Sequence, residues 1–327
     1  MKSPLLSAIF TALGIASLSA MTSVALAQPY PNKPIRLIVP FPPGGATDII
    51  GRTLAQKLSA QLGQAVVVDN KPGAGGTLGS TELTKAAPDG YTLLLATTST
   101  HSIAPSLYKS IAYNVEKDFA PIGEVATATN VLIVTNGLAA KDVRELIALA
   151  KAEPNKLNFA SSGNGTVVHL QSELFKLNSG TQITHVPYKG TALAIPDLIS
   201  GQTQMLFDSI VSALPHIKGG KVRALAVTSA KRSSLLPNVP TVAESGLPDY
   251  VVDTYFGLYA PAATPRDIVD RLQREMATAV QSAEVKERFA SQGAEPVGGT
   301  SAALSALMKT EADKWRRVIT AGQIKID

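Results

Sequence analysis

Cysteine is absent from all 327 residues, and this absence excludes several kinds of chemistry. A structural disulfide, a thiolate metal site, a cysteine nucleophile and a lipoprotein anchor each require at least one cysteine. Histidine is also scarce, because the chain has only four scattered residues of this type, His101, His169, His185 and His216. They form no pair at the spacing of metal ligands, so we predict no metal site.

Runs of basic residues are also missing, although the formal net charge of the whole chain is +5. Nucleic-acid binding calls for clustered lysine and arginine, often with aromatic residues between them, and aromatic residues make up only 5% of this chain. We therefore expect no nucleic-acid partner. The weak positive balance suits a small acidic molecule.

The first 27 residues have the pattern of a secretory signal peptide. Lys2 precedes the apolar run Leu5–Leu18, and Ala25-Leu26-Ala27 places small residues before Gln28. The apolar run is too short and too serine-rich for a membrane span of about 20 residues. We predict export to the periplasm with cleavage after Ala27, which removes one lysine and leaves a net charge of +4.

The remaining chain alternates predicted strands, loops and helices. Ile35–Val39 is typical of a buried strand ended by Pro40, and Ile49–Leu62 has helical spacing of its apolar residues. The same order recurs along the chain, which predicts an α/β fold with a largely parallel sheet. About 300 mature residues exceed what one hydrophobic core usually serves, so we expect two domains.

Three loops rich in glycine and hydroxyl residues each follow a predicted strand and lead into a helix. They are Phe41–Asp48, Pro72–Thr77 and Ser161–Thr166. Such a loop exposes N–H groups at the positive end of a helix, which favours a carboxylate or phosphate. The alternative is that the glycines only make tight turns.

Catalytic motifs give no clear prediction of an enzyme. Gly73, Gly75 and Gly79 miss the spacing of a dinucleotide loop, and neither a G-x-S-x-G elbow nor an H-E-x-x-H helix occurs. A secreted hydrolase using Ser162 and His169 is an alternative hypothesis, while no enzyme activity and no cofactor is our main expectation.

Several stretches in fixed order and spacing make the chain resemble a known family. It is similar to the Bug-type extracytoplasmic solute receptors, the binding proteins of tripartite tricarboxylate transporters. The stretches are V-P-F-P-P-G-G-A-T-D at 39–48, N-K-P-G-A-G-G at 70–76, A-A-P-D-G-Y-T-L at 86–93, V-P-Y-K-G at 186–190, R-A-L-A-V-T at 223–228, L-P-N-V-P-T at 236–241 and G-L-Y-A-P at 257–261.

The resemblance implies a two-lobed, type II periplasmic binding fold with a cleft between the lobes. The first lobe would comprise residues 28–128 and 253–327, and the second residues 129–252, with hinges near 126–130 and 252–255. A departure from the family is Pro196, where a helix would kink or begin late. The expected partners are a small carboxylate and a two-subunit integral membrane permease, with the receptor a monomer. A sensor receptor docking on a signalling protein is a further alternative.

The same resemblance places ligand contacts in the glycine loops and in the segment 98–101 across the cleft floor. Thr166 would donate its hydroxyl to a ligand carboxylate or would only cap its helix, and Asp208 would either cap the next element or face the cleft. The predicted ligand-binding residues are Phe41, Pro43, Gly44, Gly45, Asp48, Gly75, Gly76, Thr98, Ser99, Thr100, His101, Ser162, Gly163, Gly165, Thr166, His169 and Asp208.

Overall fold

The first strand–helix unit shows how local chemistry determines the elements. Residues 35–39 read I-R-L-I-V and form a mostly buried strand that ends at Pro40, where the missing N–H and fixed φ interrupt the ladder. The following helix begins after Gly45 and ends at Gly63, whose φ of 65° is the left-handed conformation that glycine adopts at little cost. Pro40, Gly45 and Gly63 thus mark the ends of the strand and the helix.

The computed structural model describes residues 30–326, and the segment from Lys33 onwards forms one compact unit. The predicted signal peptide lies outside the described residues. The strands are β1 Ile35–Val39, β2 Val66–Asn70, β3 Thr92–Thr97, β4 Phe119–Thr135, β5 Asn158–Ser161, β6 Thr184–Pro187, β7 Met205–Ser209, β8 Val222–Val227, β9 Asp253–Pro261 and β10 Ala294–Pro296. The helices are α1 Ala46–Leu62, α2 Thr77–Thr84, α3 Ala104–Leu107, α4 Val143–Ala152, α5 Val167–Ser179, α6 Thr191–Ser200, α7 Ile210–Lys218, α8 Arg266–Gln281, α9 Ala283–Gln292 and α10 Ser301–Ala321.

These strands pair into one continuous sheet in the order β2-β1-β3-β9-β4-β7-β5-β6, and β8 and β10 also pair with β4. The long strand β4 changes partners along its length. Up to Thr129, which pairs with Asp253, it runs beside β9, and from Asn130, which pairs with Ser209, it runs beside β7. β4 therefore joins two groups of strands through a single stretch of backbone.

The expectation of a largely parallel sheet is wrong for the centre of the molecule. Parallel pairs occur towards the two ends of the sheet, between β1 and its neighbours β2 and β3 and between β5 and its neighbours β6 and β7. β4 and β9 instead run antiparallel to one another, and β9 is also antiparallel to β3. The sheet is therefore mixed, because β9 and β4, which lie between the two parallel groups of strands, run antiparallel to each other.

Helix α6 contains Pro196 without beginning late, since it extends from Thr191 to Ser200. Proline at this position cannot donate a hydrogen bond to the carbonyl four residues earlier, but it leaves the start of the helix intact. Two buried clusters support the sheet. One surrounds β4, β5 and β7 and includes Trp315 of α10, and the other lies where β3 and β9 meet Phe119 and Leu304.

Candidate ligand-binding site

A cavity with a volume of about 60 Å³, partly open to solvent, lies beside β3, β4, β7 and β9. Ligands of open α/β sheets commonly bind beyond strand ends, and here Thr97 and Ser209 end β3 and β7. The cavity is lined by Phe41, Pro42, Gly45, Ala46, Thr47, Thr97, Ser99, Asn130, Ser162, Val167, Val168, Gly190, Thr191, Ala192, Asp208, Ser209, Thr254 and Phe256.

Four helices begin at this cavity. The N-caps of α1 and α6 are Gly45 and Gly190, and neither forms a side-chain cap hydrogen bond. α5 reaches the cavity with Val167 and Val168, and α7 begins directly after the lining residue Ser209. Because first-turn N–H groups lack intrahelical acceptors and the N-terminal end of a helix is positive, this arrangement favours a bound anion.

Charged side chains contribute little to this preference. Among the described residues that line the cavity there is no lysine, arginine or histidine, and the single ionisable group is the carboxyl of Asp208. Hydroxyl groups are plentiful, and the Thr97 Oγ1 atom is buried without a hydrogen-bond partner. The cavity can therefore stabilise an anion with oriented N–H and O–H dipoles, without an ion pair.

The start of α5 is already occupied by side chains of the protein. The Thr166 hydroxyl accepts a hydrogen bond from the His169 N–H (3.3 Å) and donates one to the Gly163 carbonyl (2.8 Å). The Ser99 Oγ atom accepts the Val167 N–H at 2.9 Å. Thr166 is therefore an N-cap whose hydroxyl is committed to its own helix, and it does not line the cavity.

Glycine allows two of the loops to touch. Gly75 (φ 62°) and Gly165 (φ 75°) have left-handed backbones, and a Cβ atom on Gly75 would lie 2.8 Å from the Asn164 carbonyl oxygen. The Tyr108 hydroxyl lies between the loops, 3.1 Å from the Ala74 carbonyl oxygen and 2.9 Å from that of Asn164. These loops border a second cavity next to the first, with Phe41, Pro42 and Ser162 shared by both.

Two histidines stack behind the 161–166 loop. The rings of His169 and His185 lie 4.1 Å apart, and the Ser161 Oγ atom is 2.6 Å from His185 Nε2. The Gly165 N–H donates to His169 Nδ1 at 3.2 Å, which requires a neutral ring at that nitrogen. Burial lowers the pKa of His169 to about 3, and the neighbouring His185 and Lys176 act in the same direction.

This geometry does not favour a hydrolase based on Ser162 and His169. The His169 Nδ1 atom is used by the loop backbone, and Nε2 lies 3.8 Å from the Glu173 carboxylate. Within the part of the chain that the structure describes, no hydrogen bond joins Ser162 to this histidine. The imidazole therefore supports the loop, whereas a catalytic base must contact its nucleophile.

Asp208 faces the cavity from the end of β7 and is only 2% exposed. One carboxylate oxygen accepts the Ser209 N–H and the other accepts the Ser212 hydroxyl, each at 2.8 Å, and Thr191 adds a further hydrogen bond. Burial raises the pKa of Asp208 to about 6, although these three donors oppose the shift.

Asp48 shapes the 41–48 loop from inside and does not line the cavity. Its carboxylate accepts hydrogen bonds from the Gly44 N–H (3.0 Å), Arg52 Nε (2.9 Å) and Asn70 Nδ2 (3.0 Å). Burial by itself would raise the pKa of Asp48, but these hydrogen bonds and the Arg52 charge together lower it. The loop that presents Gly45 is thus held by a buried, ionised side chain.

The predicted cleft-floor segment 98–101 leads into a π-helical turn, Ser99–Ile103, and its side chains have different surroundings. Ser99 borders the cavity, whereas the Thr98 hydroxyl accepts the Tyr255 N–H and the Thr100 hydroxyl caps the end of β3. The His101 ring is buried against Phe119 and other aromatic rings, and burial lowers its pKa to about 3. A hydrophobic core environment, and not the cavity, surrounds this histidine.

The structure brings some of the predicted site residues together and separates others. Those that line the main cavity are Phe41, Gly45, Ser99, Ser162 and Asp208. Those that border other cavities are Gly44, Gly75, Gly76, Gly163 and His101. Those that line none of these cavities are Pro43, Asp48, Thr98, Thr100, Gly165, Thr166 and His169.

Sequence reasoning missed the start of α6 and the polar side chains on the central strands. Gly190, Thr191 and Ala192 line the cavity, together with Asn130 and Thr254. The first three do carry a signal, because Gly190-Thr191 follows a strand and opens a helix as the three glycine loops do. Asn130 and Thr254 lie within strands and carry no local signal.

Two further observations concern membranes and metals. Between residues 30 and 326 every helix is too short or too polar to cross a lipid bilayer. This part of the chain also brings together no group of three His, Cys, Asp or Glu side chains that could hold a metal ion.

Comparison with known proteins identifies the fold. The Rhodopseudomonas palustris protein Rpa4515, solved with adipate, is 35% identical and superposes with a TM-score of 0.89 over 90% of this chain and 99% of that chain. The periplasmic binding protein BugD is 36% identical with a TM-score of 0.87, over 90% of this chain and 99% of its own. MatC from Rhodopseudomonas palustris, solved with bound malate, is 33% identical with a TM-score of 0.85, over 89% and 100%. The mixed α/β fold is thus that of a periplasmic binding protein.

Sequence comparison agrees with the structural one. BugT of Bordetella pertussis is 41% identical over 294 residues, which cover 90% of each chain. The family model described as tripartite tricarboxylate transporter family receptor matches residues 50–324. The chain therefore belongs to the Bug-type receptors of the tripartite tricarboxylate transporter family.

Proposed function

We propose that this protein is a periplasmic solute receptor that captures a small carboxylate in the cavity and delivers it to a membrane permease. The observation that carries the proposal is the convergence of helix starts, of which α1 and α6 have no side-chain cap, on a cavity whose described lining residues include no basic side chain. Organic di- and tricarboxylates, acidic amino acids and aromatic carboxylates fit this chemistry. The relatives solved with adipate and malate support it, since both ligands are dicarboxylates.

The proposed contacts follow from which donors remain available. The N–H groups that open α1 and α6, after Gly45 and Gly190, would bind the ligand carboxylate together with the Ser162 hydroxyl. Thr166 and His169 would act indirectly by holding the 161–166 loop. The Gly75–Gly76 loop would close the outer side of the site, where it already contacts Asn164 across Tyr108.

We further propose two lobes, residues 28–128 with 253–327 and residues 129–252, that close on the ligand. The change of partners along β4 supports this division, because pairing with β9 ends at Thr129 and pairing with β7 begins at Asn130. The hinge would then lie near 126–130 and 252–255. Only a few residues at such a crossing need to absorb a change in backbone dihedral angles.

Such a receptor would be exported and would act together with a membrane partner. Residues 1–27 would direct export and be removed after Ala27, leaving a monomeric, non-enzymatic receptor. A two-subunit integral membrane permease would receive the ligand. N-terminal sequencing of exported protein tests the cleavage, and co-purification with detergent-solubilised permease tests the partner.

Titration calorimetry with adipate and malate, preceded by native mass spectrometry of the purified protein, tests the function. We expect saturable binding with a stoichiometry of one and a carboxylic acid among any ligands that survive purification. Folded protein that binds neither probe, nor any other carboxylate in a panel of di-, tri- and aromatic acids, would contradict the proposal. Ester turnover at Ser162 would instead favour the hydrolase.

A further inference from the structure

The cavity contains a feature that conflicts with simple anion binding. Its single ionisable lining side chain is an acid, Asp208, and none of its described lining residues is a lysine, arginine or histidine. This inference rests on the proposed function, because a carboxylate ligand in the same cavity would place a second negative charge near the first. When two carboxylates share one buried site, their repulsion strongly raises the pKa of one of them, so that both do not stay ionised.

The surroundings of Asp208 stabilise its charge only weakly. Its hydrogen-bond donors are the Ser209 backbone and the hydroxyls of Ser212 and Thr191, all of which are neutral. In the free protein these donors and burial hold the pKa of Asp208 at about 6, so the carboxyl is mostly ionised above pH 7. A ligand that displaces water from the cavity would add both desolvation and like-charge repulsion, and each favours the protonated acid.

Charged groups from neighbouring elements do not offset this repulsion. His216 and Lys221 line a separate outer cavity that Asp208 also borders, and no ion pair joins either side chain to Asp208 among the described residues. Across the same cavity, Asp48 lies behind Gly44 with its charge already paired to Arg52. Val131, which faces Asp208 from β4, is apolar.

We propose that Asp208 takes up one proton when the cavity binds a carboxylate, so that capture of the ligand is linked to protonation of the receptor. The protonated carboxyl then has an O–H that can donate a hydrogen bond to the ligand, in place of an oxygen that repels it. Asp208 also affects which ligands bind. At high pH its ionised carboxylate disfavours ligands that carry an additional negative charge close to it.

The test is calorimetric titration of the full mature protein with adipate and with malate between pH 6.5 and 8.5, where both probes are fully ionised. A single linked proton weakens binding by up to about tenfold per pH unit. We expect the wild-type affinity to fall at least tenfold across this range. Titrations at pH 8 in two buffers of different ionisation enthalpy should report the uptake of close to one proton.

Two variants separate this linkage from a structural role of the side chain. Asp208→Asn imitates the neutral acid, so it should bind the probes with an affinity that is independent of pH and should take up no proton. Ser212→Ala removes a donor to the ionised carboxylate, so it should move the pH profile of affinity to higher pH. Thermal melting of both variants verifies that they fold.

Three results would overturn the inference while leaving the proposed function in place. They are a wild-type affinity that does not change with pH, a pH dependence that persists in Asp208→Asn, and a loss of more than tenfold in Asp208→Asn at every pH. The last result would mean that ligand binding requires the ionised Asp208 carboxylate. Absence of binding of both probes and of every other carboxylate in the panel, at all pH values, would overturn the proposed function, and this inference with it.

Discussion

Individual hydroxyl groups around α5 perform different tasks although they lie close together. The Thr166 hydroxyl donates to the Gly163 carbonyl in the preceding loop and accepts the His169 N–H of the helix that it caps. Ser99, which is distant in sequence, accepts the first N–H of the same helix, that of Val167, and also lines the cavity. Both hydroxyls therefore stabilise the start of α5, but only that of Ser99 does so from the wall of the cavity.

Replacing Thr166 by valine tests this division. The side chain keeps its shape but loses its cap hydrogen bond, so we expect the free energy of unfolding to fall by about 1 kcal/mol. The affinity for adipate or malate should change by less than about threefold, because the hydroxyl does not line the cavity. Urea unfolding and calorimetry measure the two quantities. A hundredfold loss of affinity with unchanged stability would show that the hydroxyl contacts the ligand.

The start of α6 is the element whose position depends most directly on contact between distant segments. Gly190 has a φ of 130°, and a Cβ atom there would lie 2.8 Å from the Pro42 Cγ atom. This close approach brings the α6 start against the 41–45 loop, and both border the cavity. The geometry of the proposed ligand site therefore depends on a contact between two elements far apart in sequence.

Gly190→Ala should weaken ligand binding by at least tenfold, because the new methyl group pushes α6 away from Pro42. A matched control is Gly246→Ala, where φ is 113° but nothing lies within 4 Å of the added Cβ atom. Both substitutions strain the backbone and should lower stability by roughly 1 kcal/mol or more. Calorimetry should find an affinity close to wild type for the control alone. Equal affinities for the two variants would contradict the importance of this contact.

Considered as a whole, the molecule buries several histidines in neutral form. Burial lowers the pKa values of His101 and His169 to about 3 and that of His185 to about 4. The unfolded chain takes up protons near pH 6.5, whereas the folded chain does not until the pH is much lower. Stability is therefore fully present above pH 6.5 and is lost as the pH falls towards 4.

We expect each of these histidines to reduce the free energy of unfolding by roughly 1.4 kcal/mol per pH unit below pH 6. Asp208 opposes this loss over part of the range, because its raised pKa favours the folded state at low pH. His169→Gln should make the dependence less steep by close to one proton. Urea unfolding between pH 4.5 and 7.5 measures the slope. An unchanged slope in this variant would indicate that His169 is protonated in the folded state.

The proposed closure of the two lobes is a property of the entire chain. If the hinge lies where β4 changes from Thr129–Asp253 pairing to Asn130–Ser209 pairing, then binding of adipate should compact the molecule. Small-angle scattering should report a smaller radius of gyration at saturation. The Gly190→Ala variant, in which the lobes meet less closely, should compact less. A radius that does not change at saturating ligand would count against the hinge.

The spacing of apolar residues in the sequence was sufficient to predict most helices and the strands that consist of continuous apolar residues. The spacing in Ile49–Leu62 and Val167–Leu177 predicts helices that the structure has at Ala46–Leu62 and Val167–Ser179. By contrast, only Val131–Thr135 of β4 was predictable, whereas the strand begins at Phe119. Its first half contains Pro121 and Gly123 and depends on pairing with β9, which is remote in sequence.

Sequence patterns were enough to identify the class of fold, the glycine loops at helix starts and the family to which the chain belongs. These depend on local periodicity, on backbone positions that favour glycine and on motifs in fixed order. Tertiary structure alone decided which loops share a cavity, that Thr166 caps its helix, and that Thr191 and Thr254 join Asp208. The physical reason is that a cavity is made by segments from distant parts of the chain, and their approach depends on strand pairing and close packing that no local pattern encodes.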